Sequence, residues 1–288
     1  MKEIFQIMLN VSMFAFVAGT MISIGLGLTF SQVVKPFKDI KLVTLSLFSN
    51  FLIVPLFAYG LVSVIPVSEG VRIGIMLLSI GGGAPFIPMI VGFAKGPVGG
   101  AVGLMLLLIL ATIVLMPIIV PMLFPSAQVT VWEIAKSLVY SMLIPLVLAL
   151  LFKARFSDIA ARIQPLCQKL TNLSILILII ALVYLYTEVI ISAAAVIPII
   201  LLFFLGAAAI GFVSGGRNSG ARLSLAVGTG LRNPPVAMLV ANQYFSAEPM
   251  AAIVPLLIVI VGLSILIPLS RIIGNKVAKN KSTLSPSL

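Results

Sequence analysis

One short stretch of the sequence combines residue types that could bind an anion with residue types that interrupt a helix. It reads GTGLRNPPVAML, from Gly228 to Leu239, and lies inside an otherwise apolar segment. Arg232 could hold a carboxylate through two parallel hydrogen bonds or act as a fixed positive charge in a cavity. Asn233 could supply a donor and an acceptor, and Thr229 a hydroxyl group. The stretch therefore predicts a binding site for a negatively charged group.

The surrounding chain has the composition of a protein that crosses a lipid bilayer many times. Of its 288 residues, 61% are hydrophobic and 9% are charged, and the mean hydropathy is +1.28. Apolar runs of about 18 residues or more follow one another with few interruptions. The net charge of +11 does not indicate nucleic-acid binding, because the basic residues lie in short loops between these runs. A single cysteine and no histidine argue against metal or redox chemistry, so no cofactor is expected.

We predict a single membrane domain, residues 1–288, that is all-α and crosses the membrane nine times, at about 20 residues for each crossing. The predicted spans are 10–31, 42–64, 71–94, 98–124, 130–152, 170–187, 189–213, 220–243 and 249–270. The longest loop is expected to be FKARFSDIAARIQPLCQK, between the fifth and sixth spans, and residues 271–288 form a tail.

The distribution of charge supports this number of spans, because the basic residues collect on alternate loops. The rule that cytoplasmic loops are positive then places the amino terminus outside and the tail in the cytoplasm, across the inner (cytoplasmic) membrane. The residues on the basic side are Lys35, Lys38, Lys41, Lys95, Lys153, Arg155, Arg162, Lys169, Arg217, Arg222, Arg271, Lys276, Lys279 and Lys281.

A second stretch repeats the pattern of the first. GGGAPFIPM, from Gly81 to Met89 in the third span, aligns without a gap with GTGLRNPPV, and both read G-x-G-x-x-x-x-P. Because the copies are five spans apart, their orientations in the membrane are opposite. This arrangement predicts an inverted repeat with a broken helix in each half. The first repeat would cover residues 10–124 with four spans, and the second residues 130–270 with five.

The glycines and prolines of both stretches predict that two helices unwind near the middle of the membrane. A proline inside a helix removes a donor and costs about 3 kcal/mol or more. Unwound backbone at this depth is tolerated where it lines a cavity or is buried in protein. The alternative is that the prolines only kink packed helices, but the recurrence of the pattern favours unwinding. The candidate substrate or ion site therefore comprises Pro85, Phe86, Pro88, Gly228, Thr229, Arg232, Asn233, Pro234 and Pro235.

Two polar residues of the apolar spans have a structural as well as a functional interpretation. Asn50, in FSNFLIVP of the second span, could belong to the site or could hydrogen-bond one helix to another. Arg232 could extend to the interface or pair with carbonyl groups without any function. Its position in the middle of a span, however, leaves both membrane interfaces at the limit of what the side chain can reach. Charged residues inside a membrane mark functional sites.

These stretches resemble the bile acid:sodium symporter family over most of the chain. The resemblance is carried by GLGLTFSQVVKPFKD, FSNFLIVPLFAYGL, GGGAPFIPMIVGFAKGPVGGAVGLM and GTGLRNPPVAMLVANQYF. It implies a core domain with two crossing broken helices, here the third and eighth spans. It also implies a panel domain, here spans one, five and six, and transport of organic anions by movement of one domain against the other. Members generally have one more span at the amino terminus.

The chain departs from the family at the residues that hold sodium there. According to the resemblance, the position of the glutamate ligand is Gly228 and that of the glutamine is Arg232. Pro85 and Phe86 stand where the first break has a serine and an asparagine, while Asn50 and Asn233 match polar positions. A guanidinium at such a site disfavours the binding of a cation about 4 Å away by a few kcal/mol. Arg232 is therefore expected to take the place of the ion.

The sequence thus predicts a secondary transporter for a small organic anion, either bile-acid-like or another carboxylate, with sodium symport left open. The alternative is a sodium-independent facilitator or exchanger in which Arg232 replaces the coupling ion. An enzyme is not expected, because no pairing of a nucleophile with a base and no nucleotide-binding loop is evident. The identity of the substrate, the direction of transport and the oligomeric state are left open.

Overall fold

The computed structural model of the chain describes residues 2–29, 32, 39–127 and 129–283. Within these residues the fold is all-helical, as expected for a chain whose backbone must satisfy its own hydrogen bonds in lipid. The helices are α1 Lys2–Gly27, α2 Ile40–Val64, α3 Glu69–Ile80, α4 Ile87–Phe93, α5 Val98–Leu123, α6 Val131–Arg155, α7 Ser157–Ser192, α8 Ile197–Ser214, α9 Ser219–Leu231, α10 Pro234–Tyr244 and α11 Pro249–Thr283.

Seven helical segments in the described part of the chain are long and apolar enough to cross a membrane by themselves. They are α1, α2, α5, α6, α7, α8 with the short turn before it, and α11. The pairs α3 with α4 and α9 with α10 are the two predicted broken helices, and each piece is too short for this criterion. A polytopic helical membrane protein is therefore confirmed, whereas the number of nine spans stays a prediction.

The prediction that FKARFSDIAARIQPLCQK forms a loop is wrong, because this segment is helical in the structure. Helix α6 continues to Arg155 and α7 begins at Ser157, so that only Phe156 separates them. The segment has many polar residues, but its small and apolar side chains recur at helical spacing and pack against α1 and α6. The side chains in this cluster are Ile22, Leu26, Ala149, Phe152, Ala160, Ile163 and Cys167.

The helices form two groups that match the panel and the core implied by the family resemblance. In the panel, α1 packs along α7 and against α6. In the core, α3 packs on α10 and α11, α4 packs on α9 and α5, and α8 packs on α9. The two broken helices thus lie inside the core, where intact helices surround their interrupted backbone.

Helices α2 and α6 each contain one π-helical turn, at Ser49–Ile53 and Val139–Leu143. A proline follows each turn, and in α2 this proline is Pro55. The Val54 N–H bonds to the Ser49 carbonyl, not to that of Asn50 as in a regular α-helix. Pro55, the next residue, cannot donate to the Asn50 carbonyl instead, because proline has no N–H. The π turn therefore frees the Asn50 carbonyl to accept a hydrogen bond from outside α2.

Candidate functional site

The first break interrupts the third predicted span between Ile80 and Ile87. Glycines make this irregular path available, and Gly83 has a φ of 88°, a conformation that other residues rarely adopt. The Gly82 N–H donates to the Thr112 hydroxyl of α5 at 2.8 Å. Helix α4 then begins with Pro88 in its first turn, where a missing N–H costs little. Pro85, Phe86 and Pro88 are all half-buried.

The second break contains only Arg232 and Asn233, between α9 and α10. Pro234 and Pro235 are buried at the first two positions of α10, where the fixed φ of proline suits a helix start. Arg232 itself has a φ of 56° and a ψ of −159°, which is unusual for a residue with a side chain. Glycine would adopt this backbone more easily, so the arginine is held here by its interactions.

The expectation that the glycines of both stretches unwind is confirmed for the first copy only. Gly228 and Gly230 align with Gly81 and Gly83 but lie within α9. A Cβ atom added at Gly228 would lie 2.7 Å from Ile87 Cδ1, and one at Gly230 would lie 3.1 Å from Ala208 Cβ. These two glycines therefore allow close packing of helices, and the helix breaks beyond them.

Main-chain and side-chain hydrogen bonds join the two breaks where the broken helices cross. The Asn233 N–H donates to the Gly81 carbonyl at 2.7 Å, and Asn233 Nδ2 donates to the Gly82 carbonyl at 3.1 Å. Asn233 Oδ1 is buried and has no hydrogen-bond partner among the described residues. The crossing thus satisfies carbonyl groups of the first break and leaves one acceptor available to a ligand or water.

The guanidinium of Arg232 is fully buried at this crossing and donates four hydrogen bonds. Its Nε donates to the Leu78 carbonyl at 2.9 Å, and its Nη2 donates to the Ser79 carbonyl. Both carbonyls belong to the last turn of α3, where a helix leaves carbonyl groups without helical partners. The Leu78 carbonyl also accepts the Gly81 N–H at 3.1 Å, whereas Arg232 is the donor to Ser79. Arg232 therefore caps the carboxyl end of α3, and its positive charge faces the negative end of the helix dipole.

Asn50 supplies the remaining acceptors and connects α2 to the crossing. Its carbonyl, freed by the π turn, accepts from Arg232 Nη2 at 3.0 Å, and its side-chain Oδ1 accepts from Nη1. Asn50 Nδ2 donates to the Ser46 carbonyl at 2.9 Å and to the Thr229 hydroxyl at 3.2 Å. Asn50, Thr229 and Arg232 thus form one buried network. Asn50 joins two helices as its structural interpretation predicts, and its place in a substrate or ion site stays a prediction.

The charge of this network is not balanced by a nearby carboxylate. In the part of the chain that the structure describes, the only ion pair joins Arg72 to Glu69 at the start of α3. The four acceptors around Arg232 are neutral oxygen atoms, and three of them are main-chain carbonyls. Such oxygens are also the ligands that a hard cation prefers. The guanidinium therefore occupies the acceptors that a bound cation at this position would need.

Sequence reasoning missed Thr112 and the carbonyls of Leu78 and Ser79. Thr112 is a lone hydroxyl in the apolar run LLLILATIVLMP, and that signal could have identified it. The two carbonyls carry no sequence signal, because every residue has one.

Three hydrogen bonds close one end of the boundary between panel and core. Asn242 Nδ2 donates to Asn10 Oδ1 at 2.9 Å, and the Tyr244 hydroxyl donates to the Glu133 carbonyl at 2.9 Å. Between them, the Ser137 hydroxyl donates to Gln243 Oε1. Consecutive residues at the end of α10 thus bind α1 and α6, and we call this set of contacts the latch.

A model of the sodium bile acid symporter family matches residues 14–193, which is more than half of the chain. The chain belongs to this family. Its members are transporters and not enzymes, and they are multi-pass membrane proteins. No individual curated protein matches the sequence.

The family match includes the first break but ends before the second, so that it does not cover Arg232 and Asn233. The structure nevertheless brings this unmatched stretch into direct contact with the matched first break. The second break therefore contacts a part of the fold that the family model does match.

Replacing Thr229 by valine is expected to lower the unfolding free energy by about 1 kcal/mol, because Asn50 Nδ2 would lose one of its two acceptors. Valine has nearly the same shape, so packing should change little. The melting temperature of the detergent-purified protein measures the effect. Thr229→Ser and Thr229→Ala both lose the buried methyl group, and only the serine variant keeps the hydroxyl, so it should melt higher than the alanine variant. Equal losses in these two variants would show that the hydrogen bond is not responsible.

Proposed function

We propose that this chain is a secondary transporter that carries a small organic anion across the cytoplasmic membrane by alternating access. One observation carries the proposal: Arg232 is fully buried at the crossing and has no acidic partner among the described residues. An unbalanced positive charge inside a membrane attracts anions and repels cations in an adjoining cavity. A bile-acid-like anion or another carboxylate would be attracted by this positive charge.

The geometry favours a fixed positive charge over a direct clasp of the substrate. Four N–H groups of Arg232 already donate to protein oxygens, and the side chain is 0% exposed. A bidentate contact with a carboxylate would require two of these bonds to break. The guanidinium therefore acts on the substrate through its charge, while Pro85, Phe86 and Pro88 form the half-buried edge of the first break.

A second candidate function, transport independent of sodium, is favoured by the same contacts. Leu78, Ser79 and Asn50 direct their oxygens at the guanidinium, in the region where the family resemblance implies a bound ion. A sodium ion beside Arg232 would meet repulsion of a few kcal/mol at about 4 Å. The protein would then work as a facilitator or exchanger of organic anions.

The distribution of charge supports placing the latch at the outer side of the membrane. The latch lies at the end of the molecule that carries Glu3, Glu133 and Glu248, opposite the basic loops. If the basic side is cytoplasmic, the latch closes the outer end of the boundary between panel and core. The amino terminus is then outside, and the carboxyl-terminal end is in the cytoplasm.

The test is a matrix of thermal unfolding measurements on the purified protein. A panel of organic anions, including a bile acid, a keto acid and a sulfonate, and a matched set of small organic cations are each crossed with sodium, potassium and choline chloride at constant ionic strength. A ligand that binds only the folded state raises stability by RT ln(1 + [L]/Kd), or about 2.7 kcal/mol at 100 times Kd. Hits are then tested for uptake into proteoliposomes.

The expected result is that at least one anion stabilises the protein and is taken up, equally in all three salts. Stabilisation only in sodium would support anion transport but overturn sodium independence. Stabilisation by small organic cations and not by anions would overturn the proposed substrate class.

Cross-linking the latch is expected to abolish uptake nearly completely, because the panel and the core could no longer separate at that end. The variant Asn10→Cys/Asn242→Cys is made in a Cys167→Ser background, oxidised, and assayed before and after reduction. The control Ser23→Cys/Gln168→Cys joins α1 to α7 within the panel, where the two side chains are in contact at 2.8 Å. Uptake that survives the first cross-link would show that the latch does not open during transport.

A further inference from the structure

A small polar cavity lies where α2 begins and where α8 gives way to α9. Its volume is about 190 Å³, and its charged lining residues are Asp39, Lys41 and Arg217. Asp39 caps α2, since its Oδ1 accepts the Leu42 N–H at 3.0 Å. Neither Lys41 nor Arg217 forms an ion pair among the described residues. The cavity therefore has two available cations and one carboxylate that already has a partner.

A third cation lies beside this cavity. Arg222 packs its guanidinium over the Phe212 ring, with Cζ 4.1 Å from the ring centroid. The Arg222 Nε is buried and without a hydrogen-bond partner among the described residues. A Cβ atom added at Gly215, which lines the cavity, would lie within 2.4 Å of the Arg222 main chain. The main chain of Arg222 thus lies against the cavity wall, while its guanidinium stacks on Phe212 and adds a positive charge to this end of the molecule.

An apolar groove continues from the polar cavity along α2 and α8. Its volume is about 580 Å³, and it shares Leu45, Ser214 and Gly216 with the polar cavity. Its two serine hydroxyls, of Ser49 and Ser214, donate to carbonyls of their own helices. The remaining lining residues are Phe48, Ile53, Ala209, Ile210 and Val213. The groove therefore presents an apolar surface that ends in a cationic cavity.

The groove lies on the membrane-facing surface of the core, where Phe48 is 52% and Val213 is 73% exposed. A molecule that fills both spaces needs an anionic group at one end and a hydrocarbon chain at the other. Basic pockets between transmembrane helices, at the level of the headgroups, bind anionic lipids in this way. We propose that the groove binds one anionic phospholipid, with its phosphate against Lys41 and Arg217 and an acyl chain along α2 and α8.

Binding at this place would stabilise the Arg232 network. Ser49 and Ile53, the first and last residues of the π turn, line the groove, and Asn50 lies between them. An acyl chain against this turn would restrict its movement and keep the Asn50 carbonyl in place. The proposal does not depend on the identity of the transported substrate.

The test is native mass spectrometry of the detergent-purified protein, titrated with phosphatidylglycerol, with phosphatidylcholine of the same chains, and with glycerol 1-phosphate. We expect the dissociation constant of the first phosphatidylglycerol to be lower than that of phosphatidylcholine. Lys41→Gln/Arg217→Gln should weaken phosphatidylglycerol binding by about thirtyfold, since each basic residue contributes about one factor of five. Arg162→Gln/Lys169→Gln removes the same charges from exposed positions on α7 and should leave binding unchanged.

A second variant tests the groove without altering its charge. Ala209 is exposed on α8, so Ala209→Trp should fill the groove without disturbing the core and should weaken phosphatidylglycerol binding. Equal binding of phosphatidylglycerol and phosphatidylcholine, or unchanged binding in the double variant, would overturn the proposal. Glycerol 1-phosphate that binds as tightly as the lipid would also overturn it and indicate a site for a soluble phosphate.

Discussion

Arg232→Gln is expected to make the stability of the protein depend on sodium. In potassium or choline chloride, the variant should lose about 2–4 kcal/mol of unfolding free energy. The carbonyls of Ser79 and Asn50 would lack donors, at about 1–3 kcal/mol each, whereas that of Leu78 keeps the Gly81 N–H. Removal of a desolvated charge offsets part of this loss. In sodium chloride, the freed oxygens should accept the ion, which restores about 2.7 kcal/mol at 100 times Kd.

The measurement is the melting temperature in sodium, potassium and choline chloride at constant ionic strength, followed by uptake in the same salts. The unaltered protein should show no preference for sodium, and neither should Arg162→Gln, which removes an exposed charge from α7. If Arg232→Gln leaves stability and uptake unchanged in every salt, the guanidinium does not take the place of an ion.

Gly83→Ala is expected to destabilise the protein by about 2–5 kcal/mol and to prevent uptake. At its φ of 88°, a side chain costs about 1–2 kcal/mol. A Cβ atom there would lie 2.7 Å from the Ile109 nitrogen and 2.8 Å from the Met105 oxygen, and these main-chain atoms cannot rotate away. Overpacking of this kind costs about 1–3 kcal/mol more. Chemical or thermal unfolding in detergent measures the loss.

Gly99→Ala and Gly100→Ala are the matched controls, because both glycines lie at the start of α5 and a Cβ atom would meet nothing within 4 Å. Alanine at a helical position is favourable by about 0.5–1 kcal/mol, so these variants should be at least as stable as the unaltered protein. A neutral Gly83→Ala would mean that the first break does not need this backbone conformation.

The sequence was sufficient to locate both breaks, because proline and glycine act on the local backbone and leave a local signal. Pro234 marks the start of α10, and the run from Gly81 contains the first break. What the sequence could not tell was where the second helix would unwind. Gly228 and Gly230 remain helical and allow Ile87 and Ala208 to pack closely against them, and those contacts come from distant parts of the chain.

The sequence grouped residues that the structure brings together, but it did not indicate which way the Arg232 side chain would point. Arg232, Asn50 and Thr229 were all expected at the site, and the structure joins them in one network. The guanidinium, however, faces the end of α3, where it donates to the carbonyls of Leu78 and Ser79. Main-chain acceptors are set by where a helix ends, so only the folded chain shows which side chain reaches them.

The π turn of α2 has a consequence for how ion coupling changes during evolution. Three of the four oxygens around Arg232 belong to the main chain, and one of them is available because Pro55 cannot donate to Asn50. Main-chain oxygens are present whatever the side chain, so substitutions that preserve the fold also preserve three of the four oxygens that bind the positive charge. Under the proposed function, a single substitution at position 232 would exchange a diffusible ion for a tethered positive charge, and the transporter would lose its coupling to the ion gradient while it retains its architecture.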